Sequence, residues 1–216
     1  MIRVLLCDDH LIVRQGLRQL IADAEDISVT AEAQDGVTAI GLARKQSFEV
    51  VLLDIAMPNK DGLDVLKQLR HEFPKLPVLM LSTYPEKQYA VRCLKLGANG
   101  YLNKSTNPAE LAQAIRKVAA GGIYVNPAMA ETLAMALANP ENKLPHEDLS
   151  HREYQVFCQI AAGQSLTQIA EKLSLSLNTI STYRARILSK THTKNDVEIA
   201  LYAVKNALQA SINAVT

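Results

Sequence analysis

Short apolar runs and longer amphipathic stretches follow each other along residues 1–121 and predict strands and helices in turn. Several of the short runs, such as Val50-Val51-Leu52-Leu53, have no polar face. Strands of this kind are typical of a parallel sheet that is covered by helices on both sides. Five strands are predicted, at residues 2–7, 27–33, 50–53, 78–81 and 100–102.

The stretches between these strands have helical spacing. After the first strand, Val13, Leu17, Leu20, Ile21 and Ala24 form one apolar stripe, which predicts an amphipathic helix. Four further helices are predicted, at residues 37–45, 63–69, 86–96 and 108–120. Strands that alternate with helices in this way predict a parallel sheet with right-handed crossovers.

Polar side chains stand where four of these strands end. Asp8 and Asp9 follow the first strand, Asp54 the third, Ser82 the fourth and Lys104 the fifth. The carboxyl ends of parallel strands face the crevice where open α/β sheets bind ligands. Three carboxylates that meet there repel each other unless a cation joins them, and oxygen ligands suit Mg²⁺. The acids alone would also fit turns and helix caps, but the added hydroxyl and ammonium favour a site for a metal and a phosphoryl group.

These motifs resemble those of the receiver domain of bacterial response regulators. The resemblance is carried by Asp8-Asp9, Asp54-Ile55-Ala56-Met57-Pro58, Gly62, Ser82 and Lys104, and it covers roughly residues 1–121. It implies a flavodoxin-like (βα)5 receiver domain. A receiver is a phosphoacceptor domain, so the resemblance also assigns a role to each of these side chains.

In the implied mechanism, Asp54 takes a phosphoryl group from a histidine of a partner sensor histidine kinase. Asp8, Asp9 and Asp54 hold Mg²⁺ together with the backbone carbonyl of Ala56, and Lys104 pairs with a phosphoryl oxygen. The cofactor that the resemblance implies is therefore Mg²⁺.

Two more residues are implied to form the conformational switch. Ser82 can donate a hydrogen bond to the phosphoryl group, which draws the loop after the fourth strand inward. Tyr101 can then move into the space that this loop leaves, although a plain half-buried aromatic is the alternative for this residue.

Two other functions compete with a phosphorylated regulator. A phosphohydrolase of the haloacid dehalogenase type would use Asp54 as its nucleophile, but it needs a second acid two residues on, where this chain has Ala56. A regulator that works without phosphorylation would leave the acidic site unused, although all of its residues are present. We therefore expect a protein that transfers a phosphoryl group to itself and is not otherwise an enzyme.

Residues 122–147 differ from the rest and predict a linker. Pro127, Pro140 and Pro145 interrupt this segment, and an alanine-rich stretch at 128–138 predicts one helix within it. The pattern leaves open which domain this helix contacts. The predicted organisation is a receiver at 1–121, the linker at 122–147 and a helical domain at 148–216.

From residue 148 onward the pattern is helical throughout. Ser150 and Glu153 form a capping box before the first helix, and Ser165 opens the second. After a short turn, Ser176 caps a third helix at 177–190, and a fourth is predicted at 197–208. Two helices joined by a short turn match the helix-turn-helix motif, whose second helix enters the major groove of DNA.

The third helix carries a face suited to DNA. Ile180, Ile187 and Leu188 lie on one side, whereas the rest is small, polar or basic, without an acid between 177 and 190. The candidate DNA contacts are Asn178, Thr179, Ser181, Thr182, Arg184, Arg186 and Lys190. A helical interaction bundle with a solvated polar face is the alternative.

Residues 148–210 resemble the LuxR-type domain of the NarL/FixJ group of response regulators. The motifs are Leu149-Ser150-His151-Arg152-Glu153, Ile169-Ala170-Glu171-Lys172-Leu173 and Ser176-Leu177-Asn178-Thr179-Ile180-Ser181-Thr182-Tyr183. The resemblance implies an all-α four-helix domain that binds promoter DNA as an active homodimer at an inverted repeat, with RNA polymerase as a further candidate partner. The chain departs from the family pattern at Ser181, where many members have a lysine, and at Thr191-His192, which replaces Leu-Gly.

Composition narrows the class of protein. With 48% hydrophobic and 21% charged residues in 216, the chain resembles ordinary globular proteins. Neither a spanning apolar run nor a signal peptide is present, so we expect a cytoplasmic protein without a membrane partner. The net charge is only +1, and residues 148–216 hold 7 basic and 5 acidic residues, so a nucleic-acid site must be local. The three scattered cysteines are predicted to be buried free thiols.

Overall fold

A computed structural model describes residues 1–57, 60–83, 86–138, 144–206 and 208 of the chain. The chain forms two compact units, Met1–Asn139 and Pro140–Thr216. The first unit thus continues through most of residues 122–147, the segment predicted as the linker. The predicted domain boundaries at residues 121 and 148 stay a prediction. No helix among the described residues is both long and apolar enough to cross a bilayer.

The first unit is built on a parallel sheet of five strands in the order β2-β1-β3-β4-β5. The strands are β1 Ile2–Cys7, β2 Ile27–Ala33, β3 Val50–Asp54, β4 Val78–Ser82 and β5 Gly100–Asn103. The helices are α1 Leu11–Ala22, α2 Gly36–Lys45, α3 Gly62–Glu72, α4 Glu86–Lys95, α5 Pro108–Ala119 and α6 Pro127–Ala138. The predicted α/β architecture is confirmed.

The register of the sheet brings the polar strand ends together. Cys7 lies opposite Leu53, so the acids after β1 emerge beside the end of β3. Asp54 lies opposite Leu81, and Ser82 lies opposite Asn103, which directly precedes Lys104. All residues of β3 and β4 are buried. The edge predicted to hold the site is thus the edge where these side chains meet.

The helix α1 is shorter than its apolar stripe suggests. It ends at Ala22, and the N–H of Ala24 donates to the carbonyl of Ile21 at 2.9 Å in a turn rather than in a further helical turn. The N–H of Ile27 then donates to the carbonyl of Ala24 at 3.0 Å as β2 begins. Ala24 still packs against the core, so its apolar character reflects burial without helical structure.

Gly62 holds the loop after β3 close to the sheet. Its N–H donates to the carbonyl of Ile55 at 3.0 Å, and a Cβ at this position would lie 2.0 Å from the carbonyl oxygen of Asp54. No side chain fits that space, because the atom in the way is backbone. The glycine therefore fixes how the chain leaves Asp54.

We predict that Gly62→Ala lowers the free energy of unfolding of the first unit by about 1–3 kcal/mol, since the new methyl group must push the backbone at Asp54 aside. Gly41→Ala is the matched control, because a Cβ at Gly41 meets nothing within 4 Å and alanine favours a helix interior. Urea unfolding of the full chain, followed by hydrogen exchange of the sheet amides, measures both variants. Equal stability of the two would show that the contact at Gly62 is relieved at no cost.

The segment after α5 remains attached to the first unit. The N–H of Tyr124 donates to the carbonyl of Asn99 at 2.7 Å, and Tyr124 forms a parallel bridge with Gly100 of the edge strand β5. Helix α6 packs against α4. The sequence left open which domain contacts this helix, and the structure assigns it to the first unit.

The second unit is helical. It consists of a 3-10 helix at Pro145–Asp148 and the helices α7 His151–Ala161, α8 Leu166–Leu173, α9 Leu177–Thr191 and α10 Asp196–Lys205. The capping box predicted at Ser150 is present, and Ser165, predicted to open the second helix, forms a second capping box with Gln168. The 3-10 helix was not predicted, and α10 is shorter than the predicted range 197–208. Leu208 lies in a turn beyond its end and is buried, and its N–H donates to the carbonyl of Ala203 at 3.0 Å.

Candidate functional site

A lysine joins two buried carboxylates at the carboxyl edge of the sheet. The Nζ of Lys104 lies 2.6 Å from Oδ2 of Asp8 and 2.9 Å from Oδ2 of Asp54. The side chains of Asp8 and Asp54 are 0% and 1% exposed, and that of Lys104 is 11% exposed. The backbone N–H of Lys104 donates to the carbonyl of Ser82 at 2.8 Å, which fixes the loop after β5 next to β4. One ammonium therefore compensates two carboxylates that water barely reaches.

The pKa values of this cluster are shifted by burial and by the neighbouring charges. Burial raises the pKa of Asp54; Lys104 opposes that shift, whereas Asp8 adds to it. A hydrogen bond from the backbone of Ala56 also lowers the pKa of Asp54. Burial alone would lower the pKa of Lys104, but Asp54 and Asp8 raise it more. The lysine is thus held as a cation, and its charge opposes the rise that burial imposes on the pKa of Asp54.

The two predicted switch residues lie inside the sheet. Ser82 ends β4 and is 1% exposed, and Tyr101 lies in the middle of β5 with no exposed surface. Tyr101 is therefore fully buried in this conformation, not half-buried. Residues 84–85 of the loop after β4 lie outside the described residues. The inward movement predicted for that loop stays a prediction.

The helix α9 presents a polar face. The hydroxyl of Ser176 accepts from the N–H of Thr179 at 3.1 Å and caps the helix, while Ile180 and Ile187 are buried. The predicted contacts that are exposed are Asn178, Ser181, Thr182, Arg186 and Lys190. An open cleft on this helix is lined by Asn178, Thr179, Thr182, Tyr183 and Arg186. The face has both amide and hydroxyl groups beside a guanidinium.

Comparison with known proteins identifies both units. Residues 4–116 match the model of the response regulator receiver domain, and residues 147–203 match that of the bacterial regulatory proteins of the luxR family. The chain belongs to the NarL/FixJ family of two-component response regulators. The confirmed predictions are the receiver with its parallel sheet, the LuxR-type helix-turn-helix domain and a role in regulating transcription.

Relatives cover nearly the whole of this response regulator. It is 38% identical to the response regulator GacA of Pseudomonas viridiflava over 96% of its length and 98% of the relative. It is 35% identical to the response regulator UvrY of Escherichia coli strain K12, over 96% of each chain. Among solved structures, RcsB of Salmonella enterica serovar Typhimurium, bound to the promoter rprA in the presence of the phosphomimetic BeF₃⁻, covers 93% of the chain with a TM-score of 0.61 and 26% identity.

The carboxylates of this response regulator fit a divalent cation. Ligand atoms of Asp8, Asp9, His10 and Asp54 all lie within 4.8 Å of one another. Oxygen donors of this kind, two of them buried, match the preference of Mg²⁺ for carboxylates. Sequence reasoning placed Asp8, Asp9 and Asp54 here but missed His10, although its position directly after Asp9 was a usable signal. A ligand role for the carbonyl of Ala56 stays a prediction.

Two of the basic residues predicted to contact DNA are already paired within the second unit. The Nε of Arg184 lies 2.6 Å from Oδ1 of Asp196 on α10. The Nζ of Lys190 lies 2.6 Å from Oε2 of Glu153 on α7. These pairs attach α9 to its neighbours. Arg186 is the predicted cation that takes part in no ion pair among the described residues.

The departure from the family pattern after α9 has a local explanation. Thr191 is buried, and its hydroxyl donates to the carbonyl of Ile187 at 2.7 Å, so it occupies an interior position without an unsatisfied polar group. His192 adopts a left-handed backbone with a φ of 55°, the conformation that usually favours glycine at the end of a helix. The helix end is therefore kept with different residues.

The cysteines are buried free thiols, as predicted. Burial raises the pKa of Cys93 and of Cys158 to about 12. Cys7 lies behind the acidic cluster, with Sγ 3.3 Å from Sδ of Met57, and burial raises its pKa also. None of these thiols is a ready nucleophile.

Proposed function

We propose that a sensor histidine kinase phosphorylates Asp54 and that this modification controls dimerisation and promoter binding. The observation that supports the proposal best is the contact of Lys104 with both Asp8 and Asp54. A nucleophile that lies beside a fixed cation and two further carboxylates has the parts that phosphoryl transfer needs, since that reaction depends on positioning and charge compensation.

In the proposed reaction, an oxygen of the Asp54 carboxylate attacks the phosphorus of a phosphohistidine. The new O–P bond forms as the N–P bond breaks, and the electron pair returns to the imidazole of the kinase. Lys104 exchanges its contact with the carboxylate of Asp54 for a phosphoryl oxygen. A bound Mg²⁺, held by Asp8, Asp9, Asp54 and the carbonyl of Ala56, would neutralise charge on the phosphoryl oxygens.

The added phosphoryl group would then shift a two-state equilibrium. Ser82 lies in register beside the strand end that leads to Lys104, and its hydroxyl can donate to a phosphoryl oxygen. Tyr101 would follow the movement of the loop after β4. Inverting a 1:99 equilibrium requires a preference of about 5.5 kcal/mol for the active state, so a weaker preference would leave basal activity.

The second unit supplies the proposed output. Helix α9 would enter the major groove with Asn178, Ser181, Thr182 and Arg186 towards the bases and phosphates. The other predicted contacts, Thr179, Arg184 and Lys190, would hold or orient this helix. A homodimer would place two copies of α9 about one turn of DNA apart on an inverted repeat. One solved structure shows two RcsB dimers bound to two parallel DNAs, and this similar protein supports the proposal of a DNA-bound homodimer.

Helix α10 offers a surface for that homodimer. Val197, Leu201 and Val204 are 69%, 63% and 60% exposed, and their spacing places them on one face of the helix. An apolar stripe of this kind on the surface of a domain favours association with another copy.

The proposed protein is a cytoplasmic transcription regulator, not an enzyme acting on other substrates, and RNA polymerase is a further proposed partner.

We predict that Arg186→Ala weakens DNA binding by about 1–3 kcal/mol and reduces the dependence of affinity on salt. Arg184→Ala is the matched control on the same helix. Arg184 already pairs with Asp196, so its loss should lower the stability of the domain by up to about 1 kcal/mol. It should reduce DNA affinity less than Arg186→Ala does. The DNA is first selected from a random pool with the phosphorylated full chain, and binding is then titrated at several salt concentrations. Undiminished DNA binding by Arg186→Ala would show that this face of α9 does not make the predicted DNA contact.

A further inference from the structure

The open cleft on α9 contains two threonines whose polar groups are already in use. Thr179 and Thr182 line it together with Asn178, Tyr183 and Arg186. Thr182 is exposed and Thr179 is half-buried. A threonine can offer either its hydroxyl or its methyl group to a bound molecule. The hydrogen bonds that each side chain makes within the domain decide which group is left to face the cleft.

Both hydroxyl groups are bound within the helix and its cap. The hydroxyl of Thr182 donates to the backbone carbonyl of Asn178 at 2.9 Å, a bond that threonine commonly makes one turn back in a helix. The hydroxyl of Thr179 lies 2.8 Å from the hydroxyl of Ser176, the residue that caps α9. Because these oxygens are directed towards the backbone and the cap, the methyl groups are left to face the cleft.

The neighbours of the two threonines extend this apolar surface. Tyr183 follows Thr179 by four residues, so its ring lies beside that methyl group on the surface of the helix. Ala185 follows Thr182 by three residues and is exposed, and it adds another methyl group on that side. The cleft therefore combines methyl groups with the guanidinium of Arg186.

Thymine is the base that such a surface fits. In the major groove it shows a methyl group at C5, which the methyl groups of alanine and threonine contact in protein–DNA complexes. Guanine is read instead by two hydrogen bonds from arginine or lysine. Arg184 and Lys190 are held in ion pairs within the second unit. Of the predicted basic contacts, Arg186 is therefore the one that remains for guanine or phosphate among the described residues.

We propose that the methyl groups of Thr179 and Thr182 bind the C5-methyl group of a thymine in each half of the recognised DNA. This apolar contact, and not a hydrogen bond from either hydroxyl, would select a T·A pair at that position. The inference rests on the proposed binding of DNA by α9 and adds the kind of base that this helix selects. Uracil paired with adenine has the same hydrogen-bonding groups as thymine, so it should be bound less well.

The test replaces thymine by uracil, which removes only the methyl group and keeps the base pair. The probes are duplexes that the phosphorylated full chain selects from a random pool, and each thymine of one half-site is replaced in turn. At one position, uracil should weaken binding by the wild type about three- to fivefold, which is the effect of about one buried methyl group. The ratio of the two affinities at that position is the quantity compared among variants.

Two substitutions of Thr182 separate its methyl group from its hydroxyl. Thr182→Ser keeps the hydroxyl and removes the methyl group, so the ratio should fall. Adding Thr179→Ser should make thymine and uracil bind equally. Thr182→Val keeps the methyl group and removes the hydroxyl, so it should retain the wild-type ratio. Thr193→Ser is the matched control, because Thr193 lies beyond the end of α9, and it should also retain the ratio.

Three results would overturn the inference. They are equal binding of thymine and uracil by the wild type at every position, a wild-type ratio in the chain that carries both serines, and a ratio that falls in Thr182→Val but not in Thr182→Ser. In each case the phosphorylated chain still binds its selected DNA, so the proposed function stands. A phosphorylated chain that selects no DNA from the pool would contradict the proposed function itself, and the inference with it.

Discussion

Incubation of the full chain with acetyl phosphate and Mg²⁺ should attach a phosphoryl group to the wild type and none to Asp54→Ala. Asp54 is the carboxylate that ends β3, contacts Lys104 and is 1% exposed. Asp8 contacts the same lysine, but it also accepts the backbone N–H of His10, which constrains its movement towards a phosphorus atom. Intact mass measurement and mapping of the modified peptide identify the residue that carries the group.

Asp64→Ala is the matched control for this experiment. Asp64 is an acid of the same unit, but its side chain is 58% exposed, and among the residues that the structure describes it pairs with Lys67 alone. Its loss should leave the amount of incorporated phosphoryl group unchanged. Phosphoryl incorporation in Asp54→Ala at the level of the wild type would remove Asp54 as the acceptor and with it the proposed reaction.

Lys104→Met should lower the stability of the metal-free first unit by about 3–5 kcal/mol, because it leaves the buried carboxylates of Asp8 and Asp54 without a counter-charge. Lys67→Met is the matched control. Its ammonium pairs with Asp64 at 2.9 Å on the exposed face of α3, and such pairs contribute up to about 1 kcal/mol. Urea unfolding in the presence of a chelator, followed by hydrogen exchange of β3 amides, measures the difference.

The loss caused by Lys104→Met should depend on pH in a defined direction. Burial raises the pKa of Asp54 and Lys104 opposes that shift, so the pKa rises further in the variant. The folded state then binds a proton more readily than the unfolded state. The deficit is therefore largest above the raised pKa of Asp54 in the variant, and it shrinks as the pH falls through that pKa towards the unfolded-state value of about 4. A second substitution, Asp54→Asn, should restore part of the lost stability at neutral pH, and its failure to do so would argue that Lys104 acts by packing alone.

The fold of the first unit could be predicted because its strands are buried on both faces. A run such as Val50-Val51-Leu52-Leu53 has no polar residue to place in water, so only a covered strand explains it. The acids at the strand ends followed from the same argument, since a parallel register brings those ends to one edge. The helix caps at Ser150, Ser165 and Ser176 could also be predicted, because capping depends on residues only three positions apart in the sequence.

Contacts between distant residues could not be predicted in the same way. The pairing of Lys190 with Glu153 and of Arg184 with Asp196 depends on how α9 packs against α7 and α10. The sequence shows four charged side chains and does not show which of them meet. As a result, two residues predicted to face DNA proved to be partly engaged inside the domain.

Local patterns failed where packing continued beyond a helix. The apolar residues at 197–208 predicted one helix, but the chain turns after Lys205 while Leu208 stays buried. Ala24 shows the same effect after α1. Apolar periodicity reports burial, and a helix end can be buried without being helical. The position of His10 was missed for another reason. A single histidine next to two acids is not part of a repeating apolar pattern, so neither helical nor strand periodicity indicates where its side chain lies.

The most direct test of the account is the affinity of the full chain for its selected DNA before and after phosphoryl incorporation. Phosphorylation of the wild type should raise its DNA affinity, by at least about tenfold if the equilibrium is strongly inverted. The same treatment of Asp54→Ala should leave its affinity at the unphosphorylated level. Equal affinity of the phosphorylated and unphosphorylated wild type would contradict the claim that Asp54 controls α9.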